Sequence, residues 1–158
     1  MISFKEFTAL TLIYFMRLFA AWLVGLLVSI IPSLVIGFAV PDGILKTILA
    51  SLIGPATVSV FLYITMYRTG YKENNVYIKN PLKTLSLPVI TSNILLFMLI
   101  AAFNFLTSKA PKAETAYGLI PVFLYLIPYA FVMIFGIIMG SKKREKDRNE
   151  IMSNKSNN

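Results

Sequence analysis

Four long runs of residues without any charge dominate the sequence. They cover residues 18–40, 47–67, 84–107 and 117–140, and apolar side chains prevail in each of them. An α-helix rises about 1.5 Å per residue, so each run is long enough to cross the roughly 30 Å hydrocarbon core of a bilayer. The sequence therefore predicts an all-α, polytopic membrane protein, built as a bundle of four transmembrane helices.

The charged residues are few and lie between these runs. Only 14% of the 158 residues are charged, against about 25% in soluble proteins, and 57% are hydrophobic. The net charge of +8 therefore favours contact with anionic lipid over binding of nucleic acid. The absence of Cys and His excludes disulfides, Cys/His zinc sites and His-ligated haem.

The distribution of Lys and Arg predicts the orientation. Twelve of the 15 lie in the N-terminal segment, in residues 68–83 or in the tail, and only Lys46, Lys109 and Lys112 lie elsewhere. Short loops rich in Lys and Arg stay in the cytoplasm. We therefore predict a multi-pass protein of the plasma membrane with both termini cytoplasmic.

The beginning of the chain is too long for one simple crossing. A helix from Phe4 to Val40 would measure about 55 Å, and Ser3 with Glu6 fits a capping box at its start. Either residues 4–16 lie along the cytoplasmic interface, or the helix bends at Pro32. We prefer the first alternative and expect the first helix to be a signal anchor that stays in the protein. The chain then consists of an interfacial segment 1–17, a membrane domain 18–140 and a disordered basic tail 141–158.

Small residues recur at helical spacing in the first and fourth runs. The first run carries a small-residue ridge of Ala21, Gly25, Ser29, Ser33 and Gly37, and the fourth run carries Gly136 and Gly140. Such residues let another helix approach closely. The pattern predicts helix packing, either within the bundle or against a second copy or a larger partner.

Polar side chains inside the runs are scarce. Asn93 and Asn104 are candidates for bonds between helices, or for a polar solute path. Arg17 interrupts the first apolar stretch, and we expect it to reach the headgroups, with an anion or a partner's carboxylate as the alternative. Each run also contains proline, which indicates either tolerated kinks or a broken-helix solute site.

The tail begins with a basic cluster. Its members are Lys142, Lys143, Arg144, Lys146 and Arg148. The cluster could recruit anionic lipid at the cytoplasmic face, although it could also act only as a topology anchor. No Asp or Glu lies in the four runs, and no HExxH motif or nucleotide-binding loop is present. We therefore predict no catalytic residue, no cofactor and no metal site.

One short segment resembles a known family. Ile53-Gly54-Pro55-Ala56, the apolar residues to Tyr67, and the following Arg68, Lys72 and Glu73 resemble the YesL-like small bacterial membrane proteins. The resemblance covers about twenty of the 158 residues. It implies a bacterial protein that assists carbohydrate uptake.

The sequence thus favours a function without catalysis. We predict a small accessory or structural subunit that packs against a larger membrane complex, such as a transporter. The alternative is a small-solute transporter or channel formed by several copies of the chain.

Overall fold

The regular structure in this protein is helical throughout the part described. The computed structural model describes residues 3–72, 86–108, 119–120 and 122–156, with side chains up to residue 153. Its long helices are α1 (Phe4–Ala39), α2 (Ile44–Lys72), α3 (Ser86–Thr107) and α4 (Leu126–Ser156). Residues 122–124 are also helical and lead into α4 through a turn at Tyr125. The four elements agree with the predicted all-α fold.

All four long helices have the length and apolarity needed to cross a membrane. Two of them extend well beyond the predicted spans at their C-terminal ends: α2 continues five residues past Tyr67, and α4 continues far past Gly140. The basic segment 68–83 is therefore helical as far as Lys72, and the rest of it lies outside the described residues.

The start of α1 differs from the predicted interfacial segment. Ser3 accepts a hydrogen bond from the Glu6 amide, and the Glu6 side chain accepts one from the Ser3 amide, so the predicted capping box is present. From Phe4 the helix is continuous to Ala39, with no division at residue 17. Leu10 and Tyr14 are buried in the hydrophobic core, and this burial ties the start of α1 to the bundle.

The tail also differs from its prediction, because residues 141–156 are the continuation of α4 and are not disordered. Pairs of opposite charge one helical turn apart stabilise this extension. Lys143 lies 2.9 Å from Asp147, and Lys146 lies 3.8 Å from Glu150. Composition alone suggested a solvated chain, whereas the spacing of these charges supports a helix.

The helices pack in the order α1, α2, α4, α3 around the bundle, and α3 closes the ring against α1. The pairs Arg17–Thr69 and Gly25–Val58 make α1 and α2 antiparallel. The pairs Tyr63–Phe135 and Tyr71–Asp147 make α2 and α4 parallel. Helices that cross a membrane one after another must alternate in direction, and these pairs agree with that requirement.

Burial is concentrated at one end of the bundle. We call residues 4–22, 58–72, 86–96 and 129–156 the closed half, and residues 23–39, 44–57, 97–107 and 122–128 the open half. The core consists of Leu10, Tyr14, Leu18, Ala21, Val58, Leu62, Met66, Val89, Leu96, Tyr129, Met133 and Ile137. All of these residues belong to the closed half. Outside the closed half, the described residues that are buried are Gly25, Ser29 and Leu119.

Candidate functional site

Three glycines bring α2 and α4 into backbone contact in the closed half. A Cβ atom on Gly140 would overlap the Tyr67 carbonyl oxygen, and one on Gly70 would overlap the Ile137 carbonyl oxygen. A Cβ on Gly136 would lie 3.1 Å from the Tyr63 carbonyl oxygen. Small residues permit this approach, which gains dispersion contacts that lipid cannot supply. Gly136 and Gly140 were predicted as packing residues, whereas Gly70 was missed because it lies beyond the predicted second span.

The small-residue ridge of α1 has two different environments. Ala21, Gly25 and Ser29 are buried, and a Cβ on Gly25 would lie 2.6 Å from the Val58 Cα atom. Ser33 and Gly37 are exposed, and nothing lies within 4 Å of a Cβ placed on Gly37. One half of the ridge therefore packs against α2, and the other half remains on the surface of the bundle.

Thr57 reinforces the contact at Gly25. Its hydroxyl donates to carbonyl oxygens of its own helix and lies 3.0 Å from the Gly25 carbonyl oxygen on α1. A hydroxyl that can satisfy carbonyls on two helices suits a region where water is absent. It also lies two residues after Pro55, which removes one backbone donor from α2.

Arg17 has a polar partner inside the bundle. One of its guanidinium nitrogens donates to the hydroxyl of Thr69, which is buried and in turn donates to the Thr65 carbonyl oxygen. Arg17 itself is half-buried. The contact joins α1 to α2, so Arg17 does more than reach toward the headgroups.

The two asparagines of α3 have different surroundings. Asn93 is buried, and its Nδ2 donates to the Val89 carbonyl oxygen and approaches the Met133 sulfur of α4. The Oδ1 atom of Asn93 has no hydrogen-bond partner. Asn104 is half-buried and donates to the Ile100 carbonyl oxygen within its own helix. Of these two, only Asn93 connects helices.

A cavity of about 170 Å³ lies mainly in the open half. All four helical segments contribute to its wall, which includes Trp22, Pro55, Phe97 and Tyr125. A second space, a groove of about 420 Å³, separates α3 from α4 and is lined by apolar side chains and Asn93. Both spaces could hold small apolar groups.

Beyond the glycine contact, a polar cluster joins the end of α2 to the extension of α4. Arg144 donates to the carbonyl oxygens of Tyr71 at 3.2 Å and Lys72 at 2.5 Å. A basic side chain near the C-terminal end of a helix is well placed to donate to its last carbonyl oxygens. The Tyr71 hydroxyl donates to Asp147, which also binds Lys143. We call Tyr71, Lys72, Lys143, Arg144 and Asp147 the closed-end cluster.

Electrostatics within this cluster favour the carboxylate of Asp147, the ammonium of Lys143 and the neutral hydroxyl of Tyr71. Hydrogen bonds from Lys143 and then Tyr71 hold the pKa of the Asp147 carboxyl below its ordinary value. The same carboxylate raises the pKa of Lys143 and the pKa of the Tyr71 hydroxyl. The cluster therefore remains intact across the neutral range.

The predicted lipid-binding residues of the tail are divided between two faces of α4. Lys142 and Lys146 lie on one face with Glu145 and Glu150. Arg144 and Arg148 lie on the other, beside Tyr71 and Lys72 of α2. Three of the five predicted basic residues, Lys143, Arg144 and Lys146, are thus engaged with the protein itself.

The described residues contain no group of three or more His, Cys, Asp or Glu side chains able to hold a metal ion. The chain matches no protein-family model, no curated protein and no solved structure. The resemblance of residues 53–73 to the YesL-like proteins therefore stays a prediction.

Proposed function

We propose that this chain is a small accessory or structural subunit that packs within the membrane against a larger complex, such as a transporter. The supporting observation is the division of the small-residue ridge on α1. Its first half allows α2 to approach to backbone contact at Gly25. Its second half, Ser33 and Gly37, offers the same kind of surface and is exposed.

Small residues at a spacing of four let two helix axes come close together. The helices then gain more van der Waals contact with each other than either would make with lipid. This gain is already realised inside the protein at Gly136 and Gly140 in the closed half, and at Gly25 next to it. In the open half the exposed ridge can provide it only to another polypeptide. A helix of a partner protein is the occupant that this surface fits.

The test uses variants that alter the ridge without altering the bundle. We expect the wild-type chain, purified from its source membrane in mild detergent, to retain one stoichiometric partner. Replacing Ser33 and Gly37 with Leu should release that partner, and the variant should still fold because the space around Gly37 is open. Val35→Leu is the control, since Val35 is exposed on the opposite side of α1.

Retention of the partner by the Ser33→Leu, Gly37→Leu variant would contradict the proposed docking surface. A stable assembly of identical chains, with a mass that is a multiple of 17.7 kDa, would contradict the accessory function itself.

The alternative function, a homo-oligomeric transporter or channel for a small solute, has one supporting feature. The cavity in the open half is lined by all four helical segments and contains Pro55, whose ring frees a backbone carbonyl. Its wall is mostly apolar, which suits a small apolar solute. The mass measurement separates the two functions, because this alternative requires several identical chains.

A further inference from the structure

A groove with several basic side chains lies beside the closed-end cluster. Its walls are formed by Tyr71 and Lys72 at the end of α2 and by Arg144, Asp147, Arg148, Ile151 and Met152 of α4, and its volume is about 540 Å³. We call this the basic groove. It exists because α4 continues as a helix past Gly140 and thereby carries its cations over the end of α2.

The groove has an excess of positive charge. Lys72, Arg144 and Arg148 face a single carboxylate, Asp147, which is already bound by Lys143 and Tyr71. Among the described residues, neither the Lys72 ammonium nor the Arg148 guanidinium has an acidic partner. These two groups can therefore donate to an external anion.

The groove also lies at the depth of lipid headgroups. Arg144 follows the last residue of the fourth apolar run by four positions, or about 6 Å along the helix. Lys72 follows the last residue of the second run by five positions, or about 7.5 Å. The headgroup region extends about 5–7 Å beyond the hydrocarbon core on each side, so both side chains reach it. Arg148 follows the fourth run by eight positions, or about 12 Å, and reaches this region with its long side chain directed back along the helix.

The closed-end cluster holds one basic side chain of the groove and the carboxylate beside it in place. Arg144 is fixed by the Tyr71 and Lys72 carbonyl oxygens, and Asp147 connects Tyr71 to Lys143. A charged groove whose walls are already ordered loses less conformational freedom on binding than a flexible tail would. Beside the cations, Ile151 and Met152 expose more than half of their surface.

We propose that the basic groove binds the phosphate-bearing headgroup of an anionic lipid. Lys72 and Arg148 supply charge and donors to the phosphate, and Arg144 adds charge from its fixed position at the end of α2. This site is independent of the proposed docking surface on α1, which lies in the other half of the bundle.

The test compares two double variants with the same change in net charge. Lys72→Gln with Arg148→Gln removes the two unpaired cations of the groove, and Arg144 is left unchanged because it holds the end of α2. Lys142→Gln with Lys146→Gln is the matched control on the opposite face of α4. Each protein is reconstituted into nanodiscs of phosphatidylcholine containing trace labelled phosphatidylglycerol, and the relative affinity for phosphatidylglycerol is measured.

We expect the groove variant to lose about thirtyfold in relative affinity, which corresponds to two basic side chains near the membrane surface. The control should lose no more than about threefold. Equal losses in both variants would overturn the site, because a diffuse positive field would then explain the binding. The absence of any preference for phosphatidylglycerol in the wild-type protein would overturn it as well.

Two further outcomes would reject a lipid as the ligand. Displacement of labelled phosphatidylglycerol by millimolar glycerol phosphate at constant ionic strength would point to a free phosphate compound. Loss of a protein partner from the groove variant, without any change in lipid affinity, would point to an acidic segment of that partner. In either case the docking surface on α1 would remain testable through the variants of Ser33 and Gly37.

Discussion

At the scale of single residues, glycine fixes how closely α2 and α4 approach. Gly70 and Gly140 face backbone atoms of the opposite helix and not flexible side chains, so an added methyl group cannot be accommodated by a rotamer change. The helices would have to separate, and contacts along the whole interface would weaken.

We therefore predict that Gly70→Ala lowers the free energy of unfolding by about 2–3 kcal/mol, in the upper part of the range of about 1–3 kcal/mol that is usual for overpacking. Gly37→Ala is the control, because nothing lies near the added methyl group, and it should change stability by less than about 1 kcal/mol. Equilibrium unfolding in mixed micelles measures both. Equal effects of the two substitutions would contradict the close contact of α2 and α4.

Asp147 gives the closed-end cluster a defined dependence on pH. Its pKa is lower in the folded protein than its ordinary value of 3.8, because Lys143 and Tyr71 bind the carboxylate. Stabilisation by such a group is present above the ordinary pKa and is lost as the pH falls through the lower, folded value. The pKa values of Lys143 and Tyr71 are raised, so both groups keep their protons up to about pH 10. Loss of their contacts with Asp147 at basic pH is therefore expected only above about pH 10.

We predict that hydrogen exchange in the last turn of α2, corrected for its intrinsic pH dependence, shows constant protection between pH 5 and pH 8. Protection should fall only below the ordinary Asp value of 3.8. In Asp147→Asn this acid-dependent step should disappear. A step near neutral pH in the wild-type protein would show that another group controls the cluster.

At the scale of elements, α4 illustrates what sequence patterns can and cannot predict. The apolar run to Gly140 predicted the membrane part of the helix, because twenty or so uncharged residues have few alternatives. The extension to Ser156 escaped prediction, since a polar segment rich in Lys, Asn and Ser is typical of both disorder and exposed helix. The contact of Asp147 with Tyr71 is distant in sequence and could not be predicted from local patterns.

The extension should stabilise the end of α2. A chain truncated after Lys143 loses Arg144 and Asp147. It therefore loses the hydrogen bonds that Arg144 donates to the Tyr71 and Lys72 carbonyls, and the one that the Tyr71 hydroxyl donates to Asp147. We expect the amides of the last turn of α2 to exchange about tenfold faster, in line with the loss of about 1.4 kcal/mol of local stability. A chain truncated after Asn149 keeps these residues and should exchange at the wild-type rate. Identical rates in both truncated chains would contradict this role of α4.

The first helix also shows what sequence patterns cannot predict. Length alone predicted that residues 4–40 must bend or divide, and the division was placed at Arg17. The structure keeps one helix because Leu10 and Tyr14 are buried in the core and because Arg17 binds Thr69 of α2. These three contacts depend on tertiary packing, which a periodic pattern does not reveal.

At the scale of the whole molecule, buried residues are concentrated in one half of the bundle. The core residues all lie in the closed half, whereas the open half contains the cavity and the exposed part of the small-residue ridge. The number of helices and their apolar parts could be predicted from the sequence. The unequal packing of the two halves could not be predicted from the sequence, because Ser29 and Ser33 follow the same spacing. They differ only in whether the rest of the fold covers them.

The predicted topology has four membrane crossings, and the excess of Lys and Arg predicts that the start of α1 and the end of α4 lie on the cytoplasmic side. Because the chain has no Cys, single cysteines at Phe4, Pro41 and Met152 can report each position. All three positions are exposed. Labelling with a membrane-impermeant thiol reagent is compared between intact and permeabilised cells.

We predict that position 41 is labelled in intact cells and that positions 4 and 152 are labelled only after permeabilisation. Labelling of position 4 or 152 in intact cells, or protection of position 41, would contradict it.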